Sequence, residues 1–201
     1  MAIRTANNQS LTAITALPSV VSGGVMTLLS TQTASSSSTL SFTSGIDDTY
    51  DEYVFKFYDI HPATNDTAFQ FNVSIDGGSN YNVAKTTTWF VAYQKEDNSD
   101  SGLGYATSQD LAQGTGFQNL GNAVGNDNDQ SQVGTLHLFA PSNTTFVKHF
   151  IARTNQYKAS DYSEDVFTAG YANTTSAVNA VQFKMSSDEI DAGVIKLYGI
   201  S

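Results

Sequence analysis

The chain has 201 residues, of which 40% are hydrophobic and 11% aromatic; this is enough apolar surface for a packed core and too much for a wholly disordered chain. Its 19 acidic and 9 basic residues give a formal net charge of -10. Nucleic acid and anionic membrane are therefore disfavoured as partners, and the absence of cysteine excludes disulfides and thiolate metal sites.

The first segment, residues 1–24, is small and polar and ends in Ser22-Gly23-Gly24. It contains no apolar run of signal-peptide or membrane-spanning length, so we expect a protein made in the cytoplasm, with no membrane partner. A frayed terminus is one interpretation. The other is a flexible docking arm that orders against a neighbouring subunit through its spaced apolar residues, Ile3, Leu11, Ile14 and Leu17.

Alternating hydrophobicity predicts strands from Val25 onward. Apolar residues on both faces of Glu52–Ile60 predict a central strand, whereas Thr67–Ile75 alternates cleanly and predicts a half-buried one. Asp76-Gly77-Gly78 follows it as a hairpin signal, because glycine accepts positive φ without strain. The strands predicted in this half are Val25–Thr33, Thr39–Thr43, Glu52–Ile60, Thr67–Ile75 and Tyr81–Tyr93.

Residues 94–132 interrupt this pattern with many Asp, Asn, Gly and Gln residues. They predict a long loop with one helical turn at 108–112, and loops of this length are usually functional. Strands then resume at Val133–Ala140, Thr145–Arg153, Asp165–Tyr171, Ala177–Met185 and Gly193–Ile200. About ten short strands without βαβ spacing predict an all-β fold over 25–201, an antiparallel β-sandwich or jelly roll.

No motif for a catalytic site, a nucleotide or another cofactor occurs, and we expect a protein that is not an enzyme and needs no cofactor. Asp127 and Asp129 lie in an oxygen-rich run that resembles calcium-binding loops, although a solvated acidic loop is the simpler interpretation. His137 and His149 follow each other on neighbouring strands and are weak candidates for a two-histidine metal site.

Aromatic residues among polar neighbours are candidates for binding. They either stack on a sugar or lie at a subunit face, and the simpler alternative is partial burial within a sheet. The residues expected to face a ligand are Tyr105, Phe117, Tyr157 and Tyr162.

Several stretches together resemble a group of structural proteins from tailed bacteriophages, many of them marine phages. The resemblance runs from about Leu17 to the C-terminus. The stretches are TSGIDDTYDEYVFKF (43–57), IHPAT (60–64), LHLFAPS (136–142), VKHFIAR (147–153) and GVIKLYGI (193–200). These motifs are structural rather than catalytic.

The resemblance implies a virion component, exposed on the particle surface and commonly trimeric. Our first hypothesis is a head decoration protein or head fibre that grips the major capsid protein through residues 1–24. The second is a receptor-binding tail fibre or tail-tip protein that uses residues 94–132 to recognise host-surface glycans. The third is a polysaccharide depolymerase carried on the particle, which would require a pair of catalytic carboxylates.

Overall fold

A computed structural model describes residues 26–201, and nearly all of its regular structure is extended. A short 3-10 helix, Thr107–Gln109, lies between β6 and β7. The strands are β1 (Thr27–Ser37), β2 (Leu40–Phe42), β3 (Glu52–Pro62), β4 (Phe69–Ser74), β5 (Lys85–Lys95), β6 (Ser101–Tyr105), β7 (Ala112–Gly114), β8 (Gln118–Asn119), β9 (Gln132–Phe139), β10 (Lys148–Lys158), β11 (Tyr162–Ala172), β12 (Ala180–Met185) and β13 (Ile190–Ile200).

The strands form two antiparallel sheets of unequal size. The larger has nine strands in the order β1-β13-β3-β9-β10-β11-β5-β6, with β7 also paired to β5. The smaller has four, in the order β2-β12-β4-β8. β3 pairs with β13 on one side and β9 on the other. The predictions of an antiparallel sandwich and of a central strand at Glu52–Ile60 are confirmed.

The main core lies between the smaller sheet and the β13-β3-β9-β10 part of the larger one. Phe183 on β12 is its centre: ring centroids of Phe55 and Phe57 on β3 each lie 5.2 Å away, and that of Phe69 on β4 lies 5.8 Å away. Because each of these positions alternates with a residue on the opposite face, period-two spacing directs all four rings into one apolar layer.

The remaining part of the larger sheet is covered differently. Residues 118–125 cross its inner face, and the contact is largely polar: Thr87 Oγ1 donates to Gln118 Oε1 at 2.6 Å, and Gln132 Nε2 donates to the Leu120 carbonyl at 3.1 Å. These side chains are buried, and so are Leu120 and Val124 of the same segment. Hydrogen bonds and apolar packing together attach it to the sheet.

The prediction of a long loop over 94–132 is wrong in its extent. The segment contains β6, β7 and β8, which account for the strands beyond the ten predicted from sequence. Its helical turn is Thr107–Gln109 rather than 108–112. These strands are short and rich in Gly, Gln and Asn, and their pairing comes from strands distant in sequence, which a local hydrophobic pattern does not reveal.

The turn predicted at Asp76-Gly77-Gly78 is present but does not form a hairpin. Gly77 and Gly78 have φ of 71° and 90°, as the glycine signal indicated. However, the flanking strands β4 and β5 belong to different sheets, so the turn carries the chain across the sandwich. Ile75 lies beyond the end of β4 and is 43% exposed, outside the alternation predicted for it.

Candidate functional site

The outer face of the larger sheet lies opposite the core and is the candidate surface for binding. Successive strand residues point to opposite sides of a sheet, so the neighbours of the core residues point outward. Several of them are large and apolar: Phe90 is 39% exposed, Ile151 54% and Leu103 75%. Single exposed apolar residues are ordinary, but contiguous groups of them mark interaction sites.

One group of outward residues forms what we call the apolar patch, namely Phe139, Phe146, His149, Ile151 and Tyr171. They line two adjoining grooves of about 530 and 490 Å³ that share Phe139 and His149. Phe146 is 67% exposed and precedes β10. No Asp, Glu, Lys or Arg lines either groove. The patch is therefore an uncharged area on a strongly acidic chain.

A second group forms a row across three strands. The rings of Phe90 on β5 and Phe167 on β11 stack 4.7 Å apart with an interplanar angle of 4°. The guanidinium of Arg153 lies 4.9 Å from the Phe167 ring centroid and donates two hydrogen bonds to Asp165, at 3.0 and 2.7 Å. Phe167 is therefore contacted by both Phe90 and Arg153, whereas Phe90 remains 39% exposed.

A third group, which we call the lysine–tyrosine box, lies on β3 and β13. Lys56 and Lys196 are directly opposite each other in the register. Lys56 Nζ lies 5.4 Å from the ring centroid of Tyr198, and Lys196 Nζ lies 5.3 Å from that of Tyr58. Burial, together with the adjacent Tyr198 phenol, raises the pKa of Tyr58 above its ordinary value. In the box, the ammonium group of each lysine therefore makes a cation–π contact with the tyrosine of the neighbouring strand.

The calcium candidates lie in one loop. The Gln130 backbone N–H donates to the Asp127 carbonyl at 2.8 Å, which closes a turn. Asp129 lines a cleft with Asp59 and Asp191. Within residues 26–201, no three His, Asp or Glu side chains are grouped so as to hold a metal ion, and the calcium expectation gains no geometric support.

The two strand histidines are not brought together. His137 pairs with Ile151 in the β9–β10 register and is hydrogen-bonded to Glu52. His149 instead packs edge-to-face against Tyr171, with ring centroids 6.0 Å apart. Each histidine has its own partner, so the alternative of ordinary strand histidines describes them better than a metal pair.

The four aromatic residues predicted to face a ligand are dispersed, and each has an intramolecular partner. A hydrogen bond to Asp110 raises the pKa of Tyr105, and one to Glu96 raises that of Tyr157. The Lys184 amine lies 4.7 Å from the Phe117 ring centroid.

Tyr162, the fourth, donates to Asp100 at 3.0 Å, and this bond raises its pKa. Its ring also has the amines of Lys95 and Lys158 at 5.9 and 5.8 Å. The four aromatics therefore do not converge on one site. The arm residues Ile3, Leu11, Ile14 and Leu17 lie outside the described range.

No protein-family model, curated protein or solved structure matches this chain. Over residues 26–201, no helix has both the length and the apolar character needed to cross a bilayer.

Sequence reasoning missed both the apolar patch and the lysine–tyrosine box. Lys56 and Lys196 are 140 positions apart in the sequence, and only the β3–β13 register brings them together. A weak signal existed in the pattern Lys-x-Tyr, which occurs once on each strand, at 56–58 and 196–198. Equal spacing on two strands becomes a site only when those strands are neighbours.

Proposed function

We propose that this chain is a non-enzymatic structural protein on the surface of a tailed-phage particle, and that copies of it associate through the apolar patch into a trimer. The observation that supports self-association is the exposed patch. Phe146 and Ile151 are 67% and 54% exposed beside two grooves that no Asp, Glu, Lys or Arg lines. Burying exposed apolar surface yields about 25 cal/mol per Å².

Charge favours a second copy at this position. With a net charge of -10, two copies repel each other over most of their surface. No Asp, Glu, Lys or Arg lines the grooves, so copies can approach there without placing like charges in contact. Depletion of charge with enrichment of aromatic residues is also the composition typical of an interface centre.

Shape favours a head-to-tail contact. The patch carries a projecting ring, Phe146, and beside it a groove lined by Thr86, Thr88 and Tyr171. Insertion of this ring into the groove of the next copy would be a heterologous contact, and such contacts close into a ring when the rotation between copies allows it. This agrees with the trimers expected from the sequence resemblance.

The resemblance to phage structural proteins supports the particle assignment. The stretches that carry it fall mainly on β3, β9, β10 and β13, and these are four neighbouring strands of the larger sheet. The similarity therefore concerns the sheet that presents the patch. The capsid or tail partner that would anchor the protein through residues 1–24 belongs to the same proposal.

The test of self-association is the oligomeric state of the purified chain, measured by sedimentation velocity over a range of concentrations. We expect a trimer for the wild type and monomers for Phe146→Ser and Ile151→Thr. Leu103→Ser is the matched control, because Leu103 is 75% exposed but lies on β6, away from the patch, and it should remain trimeric. A monomeric wild type, or trimeric patch variants, would contradict the proposal.

The particle assignment has its own test. Antibody labelling of purified phage particles, viewed by electron microscopy, should place the protein on the particle surface. Many copies over the head would identify a decoration protein, whereas a few at the tail would identify a receptor-binding fibre. Absence from particles of a phage that encodes it would reject the assignment without affecting the trimer.

A further inference from the structure

The lysine–tyrosine box places two positive charges side by side. Lys56 and Lys196 are directly paired across β3 and β13, and like charges directly opposite each other on adjacent strands are destabilising. Each ammonium group rests on a tyrosine ring, which holds it in place but supplies no negative charge. An anion bound between the two lysines would remove this repulsion.

Five of the eight Lys and Arg side chains in residues 26–201 are paired or buried. Lys95, Arg153 and Lys158 form ion pairs with carboxylates, while Lys85 and Lys148 are fully buried. The remaining ones, Lys56, Lys184 and Lys196, take part in none of the ion pairs of this region. Of these three, Lys56 and Lys196 alone are adjacent. Lys56 and Lys196 together therefore leave unneutralised positive charge on one face of an otherwise acidic chain.

Hydroxyl groups extend the box on both sides. Thr31 on β1 is directly opposite Lys196, and Thr135 on β9 is directly opposite Lys56. All four side chains share the outer face, in the order Thr31, Lys196, Lys56, Thr135 across four adjacent strands. At a strand spacing of about 4.8 Å the row is about 14 Å long. Tyr58, 39% exposed, adds a phenol beside it.

We propose that this row binds the carboxylate or sulfate groups of an acidic polysaccharide. The two ammonium groups make charge-assisted hydrogen bonds to an oxyanion, and the flanking hydroxyls bond to the hydroxyl groups of the sugar chain. The row runs across four strands on the outer sheet face, and its length suits a linear polymer with repeated anionic groups better than a single acidic side chain of a protein.

The inference goes beyond the proposed self-association and does not depend on it, because the two lysines lie on β3 and β13, which carry no residue of the patch. Binding is measured by titration calorimetry at low salt with three polymers: heparin as a sulfated probe, polygalacturonate as a carboxylated probe and dextran as a neutral one. We expect heat with one or both acidic polymers and none with dextran. Lys56→Gln and Lys196→Gln should each weaken binding by about tenfold.

Lys184→Gln is the matched control, since Lys184 also rests on an aromatic ring, Phe117, but has no lysine opposite it; it should bind like the wild type. Phe146→Ser should also retain binding, which separates this site from the apolar patch. Circular dichroism checks that each variant is folded.

Equal binding of dextran, no binding of either acidic polymer, or unchanged affinity in both box variants would overturn the inference. Loss of trimers in Lys56→Gln without any polysaccharide binding would also overturn it, because the anion would then come from a second copy of the chain.

Discussion

The side-chain amine of Lys85 on β5 donates a 2.5 Å hydrogen bond to the side-chain carbonyl of Asn72 on β4, and thereby joins the two sheets. Both residues are fully buried. The same carbonyl accepts the Val73 backbone N–H at 2.8 Å, and the amine also donates to the Val83 carbonyl at 2.9 Å. The amide nitrogen of Asn72 donates to loop carbonyls, the nearest being Tyr81 O at 2.6 Å.

Replacing Asn72 by leucine should destabilise the protein more than the loss of one hydrogen bond suggests. The Lys85 amine would keep only Val83 as an acceptor, and an unsatisfied buried polar group costs about 1–3 kcal/mol. We expect Asn72→Leu to lower the free energy of unfolding in urea by about 2–4 kcal/mol. The double variant Asn72→Leu/Lys85→Met should lose less than the sum of the single variants. Strict additivity would show that the two side chains are not coupled.

The buried amine should also make stability depend on alkaline pH. Burial lowers the pKa of Lys85 from 10.5 to about 8, so the unfolded chain binds more protons than the folded one between these values. Stability then rises with pH across that window. Relative to Lys85→Met, we expect the wild type to gain up to about 3 kcal/mol between pH 8 and 10.5. Urea unfolding of both proteins at several pH values measures it, and parallel pH profiles would contradict it.

Gly121 should not tolerate a side chain. It lies beneath two buried glutamines, Gln132 and Gln156, and a Cβ on Gly121 would be 2.5 Å from Gln132 Oε1 and would also meet Gln156 Oε1. Gln156 is held by a 2.5 Å hydrogen bond to Glu164 and cannot move without breaking it. We expect Gly121→Ala to lower the melting temperature, with a loss of about 2–3 kcal/mol.

Gly104→Ala on β6 is the control for this clash, since a Cβ there meets no atom within 4 Å. Its melting temperature should stay close to that of the wild type. If both alanine variants melt alike, crowding at the glutamines is not the cause.

The turn after β4 should contribute less to the stability of the protein at acidic pH. Hydrogen bonds from the Ser74 hydroxyl at 2.6 Å and from the Asn80 side chain and backbone, at 2.7 and 2.9 Å, lower the pKa of Asp76 from 3.8 to about 2. A carboxylate whose pKa is lower in the folded state stabilises that state at pH values above its unfolded-state pKa. This stabilisation is lost as the pH falls through the folded-state pKa. The wild type should therefore lose stability between pH 4 and pH 2.

Asp76→Asn carries no titrating group at this position and should lose less over the same pH interval. Thermal melts of both proteins at pH 2, 3, 4 and 6 make the comparison. A stability difference between them that is the same at every pH would argue against the carboxylate.

The pattern of alternating residues predicted the core strands well and the outer surface poorly. Period-two spacing puts Phe55 and Phe57 on one face of β3 and Phe69 and Phe71 on one face of β4, and both faces belong to the core. Ile151 has the same apolar character as these residues, yet it points outward. Alternation separates two faces of a strand, but it does not say which neighbours will cover either one.

The amino-acid sequence by itself determined that this chain is a β protein, because the two-residue side-chain period is a local property of each strand. The lack of βαβ spacing predicted that its sheets are antiparallel. The tertiary structure alone decided which strands are neighbours. Lys56 meets Lys196, and Lys85 meets Asn72, through strand register and sheet packing, which depend on contacts among residues far apart in the chain. For that reason the candidate sites emerged from the fold and not from any motif.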